Sequence, residues 1–538
     1  MISRVCFLLF LGFLLSEITA HDLKRARIII DGTRRVSETD ENFVCATIDW
    51  WPHDKCNYDQ CPWGYSSVIN MDLSHPLLAK AIQAFGPLRI RIGGSLQDQV
   101  IYDVGNLKSP CHPFKKMDNG LFGFSKGCLH MKRWDELNTF LTETGAMVTF
   151  GLNALHGRHK LGGNAWGGAW DQTNALDFMN YTVSKGYRID SWEFGNELSG
   201  SGVGASVSAE HYGKDVIVLR DIINQLYKNS RSKPSLIAPG GFYEREWYTK
   251  LLQISGSGVL DVVTHHMYNL GPGNDPKLID KILDPNYLQG ASKTFENVNE
   301  TIQEYGPWAS PWVGESGGAY NSGGRGVSDT FVNGFWYLDQ LGMASERNTK
   351  VYCRQTLVGG FYGLLEKDTF VPNPDYYSAL LWHRLMGKGV LAVQTDASPH
   401  LRAYAHCSKG RTGVTILLIN FSKQSAFVVS FHNGMNIVMN AEPRKKKSFL
   451  DTLKNRVSWV GSKASDGYLF REEYHLTPKN GNLRSKTMLL NGKPLNPTAT
   501  GDIPRLEPVR RGVKSPVYIM PLSMSFIVFP NFDAPACS

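Results

Sequence analysis

The stretch IDSWEFGNELSG, residues 189–200, opens like a buried strand and closes on a loop of small residues. Its apolar residues run almost without interruption, as in a strand covered on both faces. Two carboxylates, Glu193 and Glu197, sit in these surroundings, and burying an unpaired carboxylate is costly. Working outward, seven more short β-rich runs share this texture: FVCATID (43–49), LRIRIGG (88–94), MVTFGLN (147–153), SLIAPGG (235–241), LDVVTHHMY (260–268), PWVGES (311–316) and VYCRQTL (351–357). Segments of helical period lie between them, such as 76–85, 132–145, 209–228 and 294–306, and another at 376–387 follows the last run. Strands that alternate with helices pair in parallel. Eight such units across residues 43–388 predict an α/β fold, a (β/α)8 TIM barrel with insertions.

After residue 390 the long helical periods stop. LRAYAHCS, TGVTILLINFS, SAFVVSFHN, KTMLLNG and SMSFIVFP read as short antiparallel strands, predicting a C-terminal β-sandwich domain over 389–538. The early run RARIIIDG (25–32), within a 21–42 segment ahead of the barrel, is expected to add a strand to that sandwich.

The first twenty residues, MISRVCFLLFLGFLLSEITA, place one basic residue before a short apolar core and end on Ala20. This pattern predicts a signal peptide cut near Ala20–His21, hence entry into the secretory pathway. Secretion to the extracellular space or cell wall is the expected destination; a lysosome, a vacuole or a peripheral membrane location is the alternative. No run is long enough for an ordinary membrane span. Eight cysteines remain after cleavage, an even number that suits disulfides in an oxidising compartment. Cys56 with Cys61 and Cys111 with Cys128 are the local pairs expected. Sequons at Asn180, Asn299 and Asn420 are candidate glycosylation sites. The net charge of +8 gathers in clusters such as 443–448 and 509–514. A solvated face explains them; attraction to an acidic glycan or anionic surface is the sharper reading. No nucleic-acid module, zinc spacing, P-loop, H-E-x-x-H or G-x-S-x-G elbow is present, so no metal, cofactor or nucleic-acid partner is expected.

Glu197 ends the fourth strand and Glu315 the seventh. In a closed barrel both strand ends open on the same face, where the active site of this fold lies. Two facing carboxylates suit glycoside hydrolysis: one protonates the leaving oxygen and the other attacks the anomeric carbon or activates water. Asn196, beside the acid, can bind a sugar 2-hydroxyl. Glu193 is read as facing the other way and pairing with a base such as Arg91. His265, His266 and Tyr268 end strand six and can bind hydroxyls or hold the nucleophile ionised. Asp49 and Ser95 end strands one and two, as loop caps or substrate contacts.

These residues carry a resemblance. ATID, LRIRIGGS, WEFGNE, HHMY, WVGESGGAY and CRQTLVGGFYG together are similar to the heparanase-like β-glucuronidases of glycoside hydrolase family 79, most closely their plant members. The resemblance implies a retaining mechanism with a covalent glycosyl-enzyme intermediate, Glu197 as proton donor and base, and Glu315 as nucleophile. It implies substrate contacts from Asn196, Asp49, Ser95, His266, Tyr268, Gln355 and Tyr320. It also places Asn321 and Ser322 where animal members have glycines that help grip the glucuronate carboxylate. A short, cysteine-bearing connection at 105–135 stands where animal members carry an excised linker, so cleavage into two chains is not expected. The implied partner is a glucuronic-acid-containing glycan or proteoglycan. A β-glycosidase for a neutral sugar on the same barrel, or a non-catalytic protein that binds acidic glycans, are the alternatives.

Overall fold

The computed structural model describes residues 22–107, 110–434 and 469–538. The signal-peptide segment and the basic cluster at 443–448 lie outside the described residues.

Eight parallel strands close into a barrel in simple sequential order. They are Val44–Ile48, Arg89–Ile92, Met147–Leu152, Ser191–Phe194, Ser235–Phe242, Val262–Met267, Ser310–Ser316 and Val351–Arg354. Here they are called strands one to eight. The main helices that follow them are Pro76–Gln83, Met131–Glu143, Thr173–Ser184, Ala209–Leu226, Arg245–Ser255, Ala291–Tyr305, Asn333–Glu346 and Pro374–Leu385. The alternation read from the sequence is therefore the alternation of the fold. Strand residues are buried nearly throughout because helices cover the outside and side chains fill the inside.

The barrel interior is layered. Cys45, Ile237, Val262, Trp312, Val351 and Cys353 form an apolar cluster, with a disulfide joining Cys45 on strand one to Cys353 on strand eight. Beyond it, toward the strand ends, the filling turns polar: Arg91, Glu193, Thr47, Gln355 and Thr264 are all buried. Burial of such groups is tolerable only where they satisfy one another.

The helix Pro374–Leu385 runs directly into a strand, Met386–Thr395. That strand belongs to an eleven-stranded sheet containing Leu401–Ser408, Val414–Asn420, Ser425–Asn433, Phe470–Pro478 and Ser523–Phe529. The N-terminal strand Asp22–Glu38 enters the same sheet, antiparallel to Met386–Thr395 and parallel to Ser425–Asn433. Period-two alternation explains why the runs TILLIN and SFIVF are apolar on both faces. Ile416, Leu418, Ile527 and Phe529 face a core shared with Ile28, Phe427 and Val517. Leu417, Ile419, Phe526 and Val528 face the barrel's side of the sheet. Tyr404 of the sheet donates to Asp339 on the helix Asn333–Glu346 at 2.7 Å, fastening sheet to barrel.

Among the described residues four disulfides form, Cys45–Cys353, Cys56–Cys61, Cys111–Cys128 and Cys407–Cys537. The two local pairs are those the spacing suggested. This cross-linking suits the oxidising secretory pathway. Among the described residues no helix is long and apolar enough to cross a membrane.

The three sequons differ. Asn180 is exposed on the helix Thr173–Ser184. Asn299 is half-buried, and its Oδ1 accepts from Asn348 at 2.9 Å. Asn420 stands apart from these two. It is fully buried, and its amide donates to the carbonyls of Ser425 and Met520, both at 2.9 Å.

Candidate active site

Strand two ends at a pair of glycines. A Cβ on Gly94, whose φ is +116°, would stand 2.5 Å from the Asp49 carboxylate. Only glycine lets strand two turn away this close to strand one's terminal acid. Asp49 is buried and accepts from the Trp50 N–H at 2.6 Å and from Gln355 at 2.9 Å. Gln355 is itself held by the Thr47 hydroxyl. Burial, reinforced by the charge of Glu315, pushes the Asp49 carboxyl up to about 7.

Arg91 is the hub. From strand two its guanidinium enters the barrel and donates to three groups: Glu193 at 2.6 Å, Glu315 at 2.8 Å and the Asn196 side-chain carbonyl at 2.8 Å. Glu193 does pair with Arg91, but it does not face away from the site. It lies inside the barrel, on the same guanidinium that holds Glu315. One buried cation between two buried carboxylates compensates a single negative charge, and burial pushes the Glu193 carboxyl up against the pull of Arg91.

Glu315, on strand seven, receives two donors: Arg91 on one oxygen and the Tyr268 hydroxyl on the other. Burial keeps the Tyr268 phenol protonated far above its ordinary range, so it stays a donor. Each carboxylate oxygen thus has its own donor.

Glu197 stands three residues beyond strand four, in a left-handed backbone conformation with φ of 56°. Such a position costs on the order of 1–3 kcal/mol for a residue with a side chain. Its N–H donates to the Gly240 carbonyl at 2.7 Å, which pins the turn. The preceding N–H, of Asn196, donates at 2.8 Å to the buried carboxylate of Asp98. The Glu197 carboxylate lies 3.0 Å from His266 Nδ1. Burial raises its pKa to about 7, against the pull of Arg91. Burial also drops His266 to about 3, leaving a neutral ring. One oxygen of Glu197 and one of Glu315 lie within 4.8 Å of each other.

His265 points elsewhere. Alternation turns it to the outside of the barrel, with its ring centroid 5.8 Å from that of Phe295. It does not reach the site, whereas His266 does.

Glu197 and Glu315 open on a cleft of about 340 Å³. Asp49, Ser95, Tyr268, Tyr320, Asn321, Ser322 and Gln355 also line it, together with Trp51, Trp63 and Tyr362. Asn196 and His266, both buried, are not among the residues that line it. Asn321 and Ser322 keep left-handed backbone angles, φ of 58° and 75°, despite their side chains. The strain is held by the loop before strand two. Trp63 donates to Ser322 Oγ at 2.9 Å, Ser322 donates to Asn57 at 3.0 Å, and the Asn321 amide donates to Tyr58 at 2.9 Å. Among the described residues the N–H groups of Asn321 and Ser322 meet no protein acceptor.

Residues 25–342, which carry both carboxylates, match the family described as Glycosyl hydrolase family 79, N-terminal domain. The chain belongs to this family. It is 78% identical to "Heparanase-like protein 1" of Arabidopsis thaliana, covering 99% of each chain. It is 41% identical to "Baicalin-beta-D-glucuronidase" of Scutellaria baicalensis, covering 92% of this chain and 90% of the other. A solved structure, a 4-O-alpha-L-rhamnosyl-beta-D-glucuronidase from Fusarium oxysporum, shares the fold with a TM-score of 0.63 at 14% identity, covering 94% of this chain and 100% of that one. Within this family 79 site, sequence reasoning missed Asp98, the Trp51–Trp63 loop and two of the three partners of Arg91, Glu315 and Asn196. A charged residue inside the apolar run LRIRIGG was the available signal for the last.

Proposed function

We propose that the chain is a retaining β-glucuronidase acting on glucuronic-acid-bearing glycans or glycoconjugates. The observation that carries this reading is the pair of carboxylate oxygens within 4.8 Å, at the close end of the range for retaining hydrolases. An inverting enzyme needs room for water between its acids, a gap of about 6.5–9.5 Å.

Glu197, protonated below about 7, delivers its proton to the glycosidic oxygen as the C1–O bond breaks. Glu315, held by Arg91 and Tyr268, attacks C1 and forms a glycosyl ester. Glu197, now a carboxylate, takes a proton from water. That water attacks C1, and the ester bond to Glu315 breaks. In this reading the Asn196 side chain, whose oxygen accepts from Arg91 and whose backbone N–H donates to Asp98, supports the sugar 2-hydroxyl. The free N–H groups of Asn321 and Ser322, beside Tyr320, suit a sugar carboxylate. The disulfides and the expected signal peptide favour a secreted enzyme meeting extracellular glycans.

Trapping with a 2-fluoro-glucuronide, followed by peptide mapping, tests nucleophile and sugar together. A label on Glu315 is the expected result. A label elsewhere, or turnover of an aryl β-glucuronide by Glu315→Ala, removes the assignment.

One observation favours a neutral sugar: Asp49, Glu197 and Glu315 all line the cleft, and an anionic substrate must approach three acids. Two of the three, however, are pushed up to about 7 and carry little charge in mildly acidic solution.

A further inference from the structure

An acidic sugar entering a cleft lined by three carboxyl groups needs a compensating cation. Among the residues lining the cleft, one is a lysine or arginine: Lys55. Arg91 lies behind, spent on Glu193, Glu315 and Asn196. We propose that Lys55 is the residue that gives this site its charge preference, its ammonium pairing with the carboxylate of the bound uronate. The proposal deepens the β-glucuronidase reading and rests on it.

Four observations carry it. Among the described residues Lys55 has no carboxylate within ion-pairing distance. The acid beside it in sequence, Asp54, lies 3.9 Å from Lys116 instead. Asp49, the acid that acts on Lys55 through its charge, is already bonded by Gln355 and the Trp50 N–H. The ammonium rests over the Trp51 ring, 4.3 Å from its centroid, so its stem is ordered while its charge stays open to the cleft.

The backbone that carries it is rigid. Lys55 N–H closes a turn on Pro52 at 3.0 Å, and Cys56, the next residue, is cross-linked to Cys61. The same loop supplies Asn57, Tyr58 and Trp63, which brace the turn at 321–322. One loop thus positions both the ammonium and the free backbone N–H groups. Burial lowers the lysine's pKa, so its charged form gains from a partner that is absent in the free cleft.

The test uses Lys55→Met, which keeps an apolar stem on Trp51, and Lys55→Arg, which restores charge. A non-hydrolysable aryl β-thioglucuronide and its uncharged C6 amide are titrated by calorimetry against each full-length protein. Turnover of the matching aryl O-glycosides is measured in parallel. Lys55→Met is expected to bind the thioglucuronide about 10- to 100-fold more weakly, the span of one charge-assisted hydrogen bond. Its affinity for the amide and its melting temperature should stay unchanged, and Lys55→Arg should recover most of the loss. In turnover the change should fall on KM, with kcat little affected. Equal weakening toward charged and uncharged ligands, no weakening toward either, or no thioglucuronide binding by the wild type overturns the inference. If the wild type binds thioglucuronide through Lys55 but cleaves no glucuronide, the hydrolase reading fails while the anion subsite stands.

Discussion

Replacing Glu197 with glutamine tests the proton donor through two independent readouts. The carboxyl rises from its ordinary 4.5 to about 7 because burial penalises its charge. A raised pKa in the folded state means that its contribution to stability is full below about 4.5 and is lost as pH rises through about 7. The rise from 4.5 to about 7, at about 1.4 kcal/mol per pH unit, brings that loss to about 3.5 kcal/mol. Glutamine keeps the shape and cannot ionise. Relative to wild type, Glu197→Gln should therefore gain stability between pH 4 and pH 8. At about 2 cal/mol/K per residue, the gain amounts to roughly 3 °C in melting temperature for a chain this long. Differential scanning calorimetry across that pH range reads it. In kinetics, wild-type kcat/KM should fall about tenfold per pH unit above pH 7, and this alkaline limb should vanish in the variant. With a dinitrophenyl glucuronide, whose leaving group needs no proton, the variant should show a burst, and added azide should speed turnover and give the β-glucuronosyl azide. A melting difference that does not change with pH, a surviving alkaline limb, or an α-azide would refute the assignment.

Tyr268→Phe removes one of the two donors to Glu315; kcat should fall by about 10–100-fold, since hydrogen bonds to charged groups contribute about 1.5–3 kcal/mol, and unchanged circular dichroism should accompany it. Asp98→Asn weakens the hold on the Asn196 N–H, so kcat should drop for substrates with a 2-hydroxyl and much less for 2-deoxy analogues; equal losses on both would count against the positioning role. Glycopeptide mapping of secreted protein should find Asn420 unmodified whatever the occupancy of Asn180 and Asn299, because its amide is spent on Ser425 and Met520. Cys407→Ser with Cys537→Ser opens a link spanning 130 residues and should lower stability by about 2–5 kcal/mol in urea titration, with kcat/KM little changed below the transition.

The architecture was legible because it is written in periodicity. Eight apolar runs separated by helical segments admit few arrangements other than a closed parallel barrel. Strand ends are part of that pattern, so Glu197 and Glu315 could be placed on one face before any distance was known. The two short-range disulfides were legible for a related reason: their partners are 5 and 17 residues apart.

What the sequence could not carry was direction and long-range contact. Arg91 meets Glu315, 224 residues away, and Asn196, 105 away, only because the barrel closes and points all three inward. His265 and His266 are adjacent letters; strand alternation alone sends one outward against Phe295 and the other to Glu197. The left-handed turns at Glu197, Asn321 and Ser322 oppose local preference and persist because Gly240, Trp63 and Tyr58 hold them from other segments. The sequon at Asn420 reads like the other two, yet its side chain is buried by strands that follow it in the chain. Local pattern sets which elements form. Burial, charge compensation and backbone strain depend on neighbours brought close by chain closure, and those neighbours decide which side chains do chemistry.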